Sequence, residues 1–463
     1  MGLPVVSVVR TWPAITGHKR GGGVRNNMAS IGDLTKSRPL RVLMLSWEFP
    51  PVVVGGLGRH VHQLSTALVA AGHQVTVVTR HRPGVPLEEY VDGVRVVRAP
   101  EDPPLFPLST PSMLAWTMAF NHALTRAALR AAENGGYDVI HAHDWLVTHA
   151  AVTLKEHLDL PLVATVHATE AGRHQGWLPG ETNRCIHSVE YWLGQEASRV
   201  LVCSGYMRWE VSRLLELPSA TVEVVPNGVN SALWRAEPRA VAAARARYVG
   251  EGPVIGYAGR LVYEKGVQDL IAAIPKLRAA HPGLRVVIAG DGPYRRELAE
   301  EVRDRRLQRA VSFTGFLDEP DLAAVLAAMD AVVVPSIYEP FGMVALEAAA
   351  AGAPLAVAST GGLAEIVSPG VTGVVFPPKD PDGLADAVGG LLADPSFAAR
   401  VAQDARVMVA ERYGWAAIAR RTVEAYGSAL RHAPALDVKQ VASMLAGSQR
   451  PPIEVPGGNL LSL

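Results

Sequence analysis

Short apolar runs alternate with longer stretches of helical periodicity along nearly the whole of this 463-residue chain, and that alternation constrains the fold more than any single motif. Residues 41–46, 74–79, 95–98, 137–141, 162–166 and 199–203 read as strands, most of them apolar on both faces. Residues 112–132, 145–157, 182–195 and 206–215 read as helices between them. Such a chain must build a parallel sheet covered on both faces, with ligands outside the carboxyl ends of the strands. The pattern pauses at residues 236–252 and then restarts, with strands at 254–257, 284–289, 310–314, 331–334 and 355–358. The expectation is an α/β fold of two doubly wound Rossmann-like domains, residues 40–235 and 236–414, facing each other across a cleft. Residues 415–431 form a helix packing back toward the first domain. Residues 1–39 read as a disordered leader, with Met28 as an alternative start, and residues 432–463 as a mobile tail.

Composition narrows the function classes. Lys+Arg and Asp+Glu are equal at 44 each, so no charge excess draws the chain to nucleic acid or an anionic membrane. No charge-free apolar run reaches the roughly 18 residues of a membrane span. Two cysteines, Cys185 and Cys203, cannot build a disulfide framework and read as reduced, buried thiols of a cytoplasmic protein.

Residues 331–352 carry the strongest local signal. An apolar strand meets Pro335, Pro340 and Gly342, and an Ala-rich helix starts near Phe341. A strand, a tight loop and a helix start make an anion site, because first-turn N–H groups lack intrahelical partners. Glu339 lies in the loop and Glu347 about two turns into the helix, among apolar neighbours. A carboxylate in such company needs hydrogen-bond donors, which a polyhydroxyl ligand would supply. Phe341, Gly342, Met343 and Val344 would then line the anion. In the same domain Arg260 and Lys265 flank a strand-to-helix loop. They read either as a diphosphate clamp or as a surface pair with Glu264, and the nearby helix start favours the clamp.

In the first domain, Gly55-Gly56-Leu57-Gly58 opens a βαβ unit without GxGxxG spacing. Those glycines serve either a tight turn or the close approach of a ligand. Histidines gather after the strands: His141 and His143 followed by Asp144, then His167 with Glu170 and His174 beyond. Two histidines and an aspartate could hold a metal. The favoured reading is that His167, Asp144 and Glu170 face the cleft and bind sugar hydroxyls, with Asp144, Glu170 and Trp145 on the acceptor side. His141 could equally be a core histidine. Asp380-Pro381-Asp382 resembles a metal motif but reads as a helix cap with proline at the first position. No metal and no cofactor is expected.

Together these residues resemble the retaining glycosyltransferases of family 4, which have the two-domain GT-B fold. The resemblance spans residues 40–430 and is most specific at Glu339 and Glu347 in their Tyr-Glu-Pro-Phe-Gly setting. Trp47 to Pro51, His141 to Trp145 and Thr360 to Leu363 look like the glycogen-synthase-related branch. The run from His167 to His174 looks most like mycobacterial α-1,4-glucosyltransferases of methylglucose lipopolysaccharide and glycogen synthesis. The resemblance implies that Glu347 holds the nucleotide ribose. Glu339 and the Phe341–Gly342 amides would hold donor sugar and phosphate, and Arg260 and Lys265 would neutralise the leaving diphosphate. Gly56 to Gly58 would admit the donor to the first-domain backbone, and His167 would touch the donor sugar near the reacting carbon. Glu339, His167, Arg260 and Lys265 are the expected catalytic set. The implied partners are ADP- or UDP-glucose and an α-1,4-glucan acceptor. One departure is Val54 before Gly55, where ADP-glucose-using bacterial glycogen synthases carry lysine, so donor preference does not carry over. Alternatives are a family-4 enzyme for another sugar or acceptor, such as a mannosyltransferase or a maltose-1-phosphate-forming enzyme, and a catalytically silent binding protein. A dinucleotide-dependent dehydrogenase is disfavoured by the missing GxGxxG.

Overall fold

A computed structural model describes residues 38–53, 55–100, 106–109, 112–133, 135–248 and 252–432. The expected leader and tail lie outside the described residues except for Arg38, Pro39 and His432, and Val54 lies outside them too.

The first half runs β1 (Arg41–Leu45), α1 (Gly56–Ala70), β2 (Gln74–Arg80), β3 (Glu88–Val91), β4 (Val94–Ala99), α2 (Met113–Ala132) and β5 (Val139–His143). It continues α3 (Thr148–Leu158), β6 (Leu162–Val166), α4 (Glu170–Arg173), α5 (Glu181–Glu196), β7 (Arg199–Val202), α6 (Gly205–Leu214) and β8 (Val222–Val224). The second half runs α7 (Pro238–Tyr248), β9 (Val254–Ala258), α8 (Val267–Ala280), β10 (Arg285–Ala289), α9 (Arg295–Asp304), β11 (Val311–Gly315), α10 (Glu319–Ala327) and β12 (Ala331–Val334). It closes with α11 (Met343–Ala351), β13 (Leu355–Ala358), α12 (Leu363–Ile366), β14 (Val374–Phe376), α13 (Pro381–Ala393), α14 (Pro395–Arg412) and α15 (Trp415–His432).

The strands form two sheets, ordered β3-β4-β2-β1-β5-β6-β7-β8 and β11-β10-β9-β12-β13-β14. Every pairing is parallel except the edge pair β3–β4. Parallel strands carry helices on both faces, so strands such as β5, β6 and β9 are buried at every position. In each sheet the winding reverses once, at β1/β5 and at β9/β12. Loops leaving the carboxyl ends of those neighbours diverge, and the crevice between them is where an open α/β sheet binds ligands.

An apolar cluster joins the halves, with Val200, Val202 and Met207 on one side and Phe341, Leu346 and Leu363 on the other. Helix α15 returns to the first half, where Ile418, Ala419 and Tyr426 enter the core formed by Val42, Met44, Val61 and Leu64.

Several elements differ from the sequence reading. Strand β3 was not anticipated; it pairs with β4 through Asp92-Gly93, both at positive φ (49° and 80°), as a two-residue hairpin turn requires. Strands β8 and β14, three residues each, were also not anticipated. Helix α11 starts at Met343 rather than Phe341, so Glu347 is its fifth residue, little more than one turn in. Residues 238–248 of the bridging segment are helical. Cys203 is buried, as anticipated, but Cys185 is only half-buried; both thiols are free.

Candidate functional site

Both switch points carry the residues that the motifs singled out. At β9/β12, the loop after β9 holds Arg260 and Lys265, and the loop after β12 holds Glu339. Lys265 Nζ lies 2.8 Å from Glu339 Oε2, and Ser336 Oγ donates to the same oxygen at 3.1 Å. The lysine therefore pairs with Glu339, not with its sequence neighbour Glu264. Gly266, at φ 69°, brings the two loops together: a Cβ there would collide with the Pro335 carbonyl. The Arg260 side chain is exposed, and among the described residues it makes no ion pair. A fork of donors thus stands beside a lysine already held by a carboxylate.

Gly342, at φ 114°, caps α11, and its carbonyl accepts from Ala345 and Leu346. The N–H groups of Met343 and Val344 lie ahead of those bonds, so their partners must come from outside the helix. The Phe341 ring is buried against Tyr413, which leaves only its main chain for a ligand. Glu347 is 2% exposed; its Oε1 meets Arg59 Nη1 at 3.0 Å, while Oε2 is buried without a partner. Burial pushes its carboxyl up to about 7, and Arg59 opposes that rise. A buried, unsatisfied carboxylate oxygen is costly unless a ligand hydroxyl completes it.

At β1/β5, the glycine loop precedes α1. Gly55 N–H donates to Glu48 Oε2 at 3.0 Å, and Gly58 packs on that glutamate. A Cβ on Gly56 would meet nothing within 4 Å among the described residues, so none of them demands glycine there, and the exposed backbone is open to a ligand. Leu57 is half-buried beside it.

The histidines are closer than the sequence suggested. His141 and His143 share one face of β5, two residues apart. His141 is a core residue, hydrogen-bonded to Tyr426 Oη at 2.8 Å and Thr165 Oγ1 at 2.7 Å. His143 Nδ1 lies 3.2 Å from His167 Nε2, and the ring of His60, on α1, stands 4.8 Å from that of His167. His60 is a member that sequence reasoning missed. One ring nitrogen from each of His60, His143 and His167 falls within 4.8 Å of the others, a set that differs from the His141, His143 and Asp144 grouping considered for a metal. Burial lowers the pKa of all four imidazoles, with His167 held at about 4, so this wall is neutral at physiological pH.

The acceptor-side carboxylates are engaged within the protein. Asp144 Oδ1 accepts from the His167 N–H at 2.7 Å; burial pushes its carboxyl up to about 6. Glu170 Oε1 accepts from Asn183 Nδ2 at 2.6 Å. Asp144 thereby holds the loop carrying His167, and each of the two acids has one oxygen engaged by the protein. Trp145 is half-buried after β5. Asp380 accepts from Gly383 N–H with Pro381 at the first helical position, the cap geometry expected.

The two halves meet through the same loops. Ser204 Oγ donates to the Pro340 carbonyl at 2.7 Å, and Glu365 accepts from the Gly205 and Tyr206 N–H groups at 2.9 and 2.7 Å. Buried Glu210 accepts from Thr169 Oγ1 at 2.6 Å and from Tyr338 Oη at 2.9 Å.

Comparison with known proteins agrees with this geometry. The family model "Glycosyltransferase Family 4" matches residues 54–233, and "Glycosyl transferases group 1" matches residues 243–408. A glycogen synthase of Mycobacterium tuberculosis (strain H37Rv) is 46% identical over 403 residues, which are 85% of this chain and 95% of that protein. A D-inositol 3-phosphate glycosyltransferase of Xylanimonas cellulosilytica is 32% identical over 86% of this chain and 99% of its own. Among solved structures, a sucrose-phosphate synthase from Thermosynechococcus elongatus superposes with a TM-score of 0.74 at 27% identity, covering 88% of this chain and all of that one. The chain belongs to glycosyltransferase family 4, glycogen-synthase-like, and its two facing parallel sheets are the GT-B fold. It is a glycosyltransferase.

Proposed function

We propose that this enzyme moves glucose from ADP- or UDP-glucose to the non-reducing end of an α-1,4-glucan, with retention at the anomeric carbon. The observation that carries the donor half is Glu347, a buried carboxylate with one unsatisfied oxygen, at the switch point that also holds Lys265, Glu339 and the start of α11. Glu347 takes the ribose hydroxyls, Glu339 the sugar hydroxyls, and Arg260, Lys265 and the Met343 and Val344 amides the diphosphate. The likeness to a glycogen synthase over nearly all of that protein's length supports glucose and a glucan.

The acceptor's 4-hydroxyl attacks C1 from the face the leaving group departs. The C1–O bond to the diphosphate breaks as the new C1–O bond forms, and the acceptor proton passes to the departing phosphate oxygen. A double displacement would need a free carboxylate beside C1. Asp144, beside His167, is tied through Oδ1 to the His167 main chain. Catalysis then rests on positioning and on stabilising the developing diphosphate charge. His167 and its neutral neighbours shape the wall around C1 without adding charge. The reaction needs no metal or cofactor and runs in the cytoplasm. No helix of the described residues is long and apolar enough to cross a membrane.

Incubating the protein with ADP-, UDP- and GDP-glucose against maltooligosaccharides and phosphate-bearing acceptors tests this directly. The expected result is nucleoside diphosphate release with glucan lengthened by single α-linked units, unchanged by a chelator. Transfer to a phosphorylated sugar with none to glucan would replace the acceptor assignment. The likeness to a D-inositol 3-phosphate glycosyltransferase favours that second reading.

A further inference from the structure

Arg59 sits in the first turn of α1, one residue after the glycine loop, yet its guanidinium crosses to the other half of the molecule. Its Nη1 lies 3.0 Å from Glu347 Oε1 and 3.9 Å from Glu319 Oε1. Glu347 is thus held by one oxygen from the opposite half, while its other oxygen is buried and open. We propose that Arg59 is a positioning residue for the nucleotide: by gripping Oε1 from across the cleft it fixes the Glu347 carboxylate and aims Oε2 at the ribose, so that nucleotide recognition is completed only when the two halves are together. This rests on Glu347 being the ribose carboxylate, as proposed above.

The surroundings of Glu347 make the role necessary. Arg59 faces it from α1 and Glu319 from α10; α12, α14, β12 and β13 meet α11 within one apolar cluster, through residues such as Leu363, Ile366, Ala405, Met408, Val334 and Val357. Burial and Glu319 both favour the protonated acid, and Arg59 alone among these opposes them. Without Arg59 the carboxyl gains a proton at higher pH, and the ribose loses an anionic acceptor near neutrality. Ordinary packing would leave no such pH signature. A side chain one-third exposed thus reaches an acid that is almost wholly buried.

Calorimetric titration with ADP or UDP, whichever base the active donor carries, and with its 2′,3′-dideoxy analogue tests this on the full chain between pH 6.5 and 9. Arg59→Ala should weaken the ribonucleotide about tenfold at pH 7, with partial recovery toward pH 9. Arg59→Lys should restore binding to within about threefold, because it keeps the charge but loses the fork. Glu319→Gln, which removes the opposing acid, should extend tight binding to lower pH. The dideoxy analogue should bind all variants alike, and in turnover the donor KM should rise while kcat stays within about twofold. Equal weakening of both nucleotides would place Arg59 on the diphosphate and overturn the proposal, as would tighter binding by Arg59→Ala. Wild-type protein that binds no nucleoside diphosphate would overturn the donor-site reading itself, and this inference with it.

Discussion

The two switch points occupy equivalent places in the two sheets and are furnished in opposite ways. At β9/β12 the side chains are ionic: Lys265 is clasped by Glu339, Arg260 is exposed, and Glu347 is buried with a free oxygen. At β1/β5 the wall is built of neutral imidazoles: four are packed so tightly that protonation is disfavoured, and the neighbouring Asp144 is bonded to main chain. The difference suits the proposed reaction. A departing diphosphate gains negative charge and needs cations nearby, whereas a cationic wall beside a sugar carbon that becomes electron-poor would raise the barrier. The glycines divide in the same manner. Gly266 is imposed by the fold, because its neighbour's carbonyl leaves no room, while Gly56 has open space where a side chain would project.

The largest expected effect lies on the ionic wall. Lys265→Ala and Glu339→Ala should each lower kcat/KM by about 100-fold or more, roughly 3 kcal/mol of transition-state stabilisation, with circular dichroism unchanged. Near-normal rates in both would remove the charge contrast between the walls. Next come the glycines. Gly56→Ala should cost almost no stability yet slow transfer about tenfold or more by obstructing the ligand. Gly266→Ala should instead destabilise by roughly 2 kcal/mol or more, read as a shifted urea midpoint. If the two substitutions behaved alike, the division would fail.

A smaller effect concerns the neutral wall. In the folded protein His167 is held at about 4, against an ordinary 6.5. Its contribution to stability is complete above pH 6.5 and is lost as pH falls toward 4. Replacing it by asparagine should flatten the dependence of unfolding free energy on pH within that window, by up to about 1.4 kcal/mol per pH unit. An unchanged slope would mean that the imidazole is not kept neutral. Smallest is Asp380→Ala, which removes the α13 cap: a loss of about 1 kcal/mol in stability and no change in transfer.

The ionic wall was largely legible in the sequence because its parts are local. Strand, loop and helix start follow one another between residues 331 and 352, and their chemistry can be read from spacing. The contacts that could not be read were Arg59 to Glu347 and Lys265 to Glu339; the latter residues, 74 apart, meet only once the parallel sheet places β9 beside β12. The neutral wall was read incompletely because it is assembled from α1, β5, the β6 loop and α15. His60 and Arg59 follow the glycine loop directly, and that adjacency was the signal available for both. Asp144 was read as facing a sugar; that its Oδ1 also accepts from the His167 N–H, at a backbone φ of 59°, carried no signal in the sequence. Strand β3 did carry a sign, Asp92-Gly93 between β-prone residues, whereas β14 is too short for periodicity to show.

The last helix has a consequence for the order in which the molecule can be made. Ile418, Ala419, Ala425, Tyr426 and Ala429 complete one face of the core around Val42, Met44 and Leu64, and Trp415 closes over His60. During synthesis the first sheet therefore emerges with one side only partly covered, by α1, and waits for some 190 residues of the second half before the covering is complete, a wait of about ten seconds or more at ordinary elongation rates. A chain stopped after Gly414 should bind a hydrophobic dye where the full chain does not. The amino-terminal half is thus the first to be translated and the last to be finished.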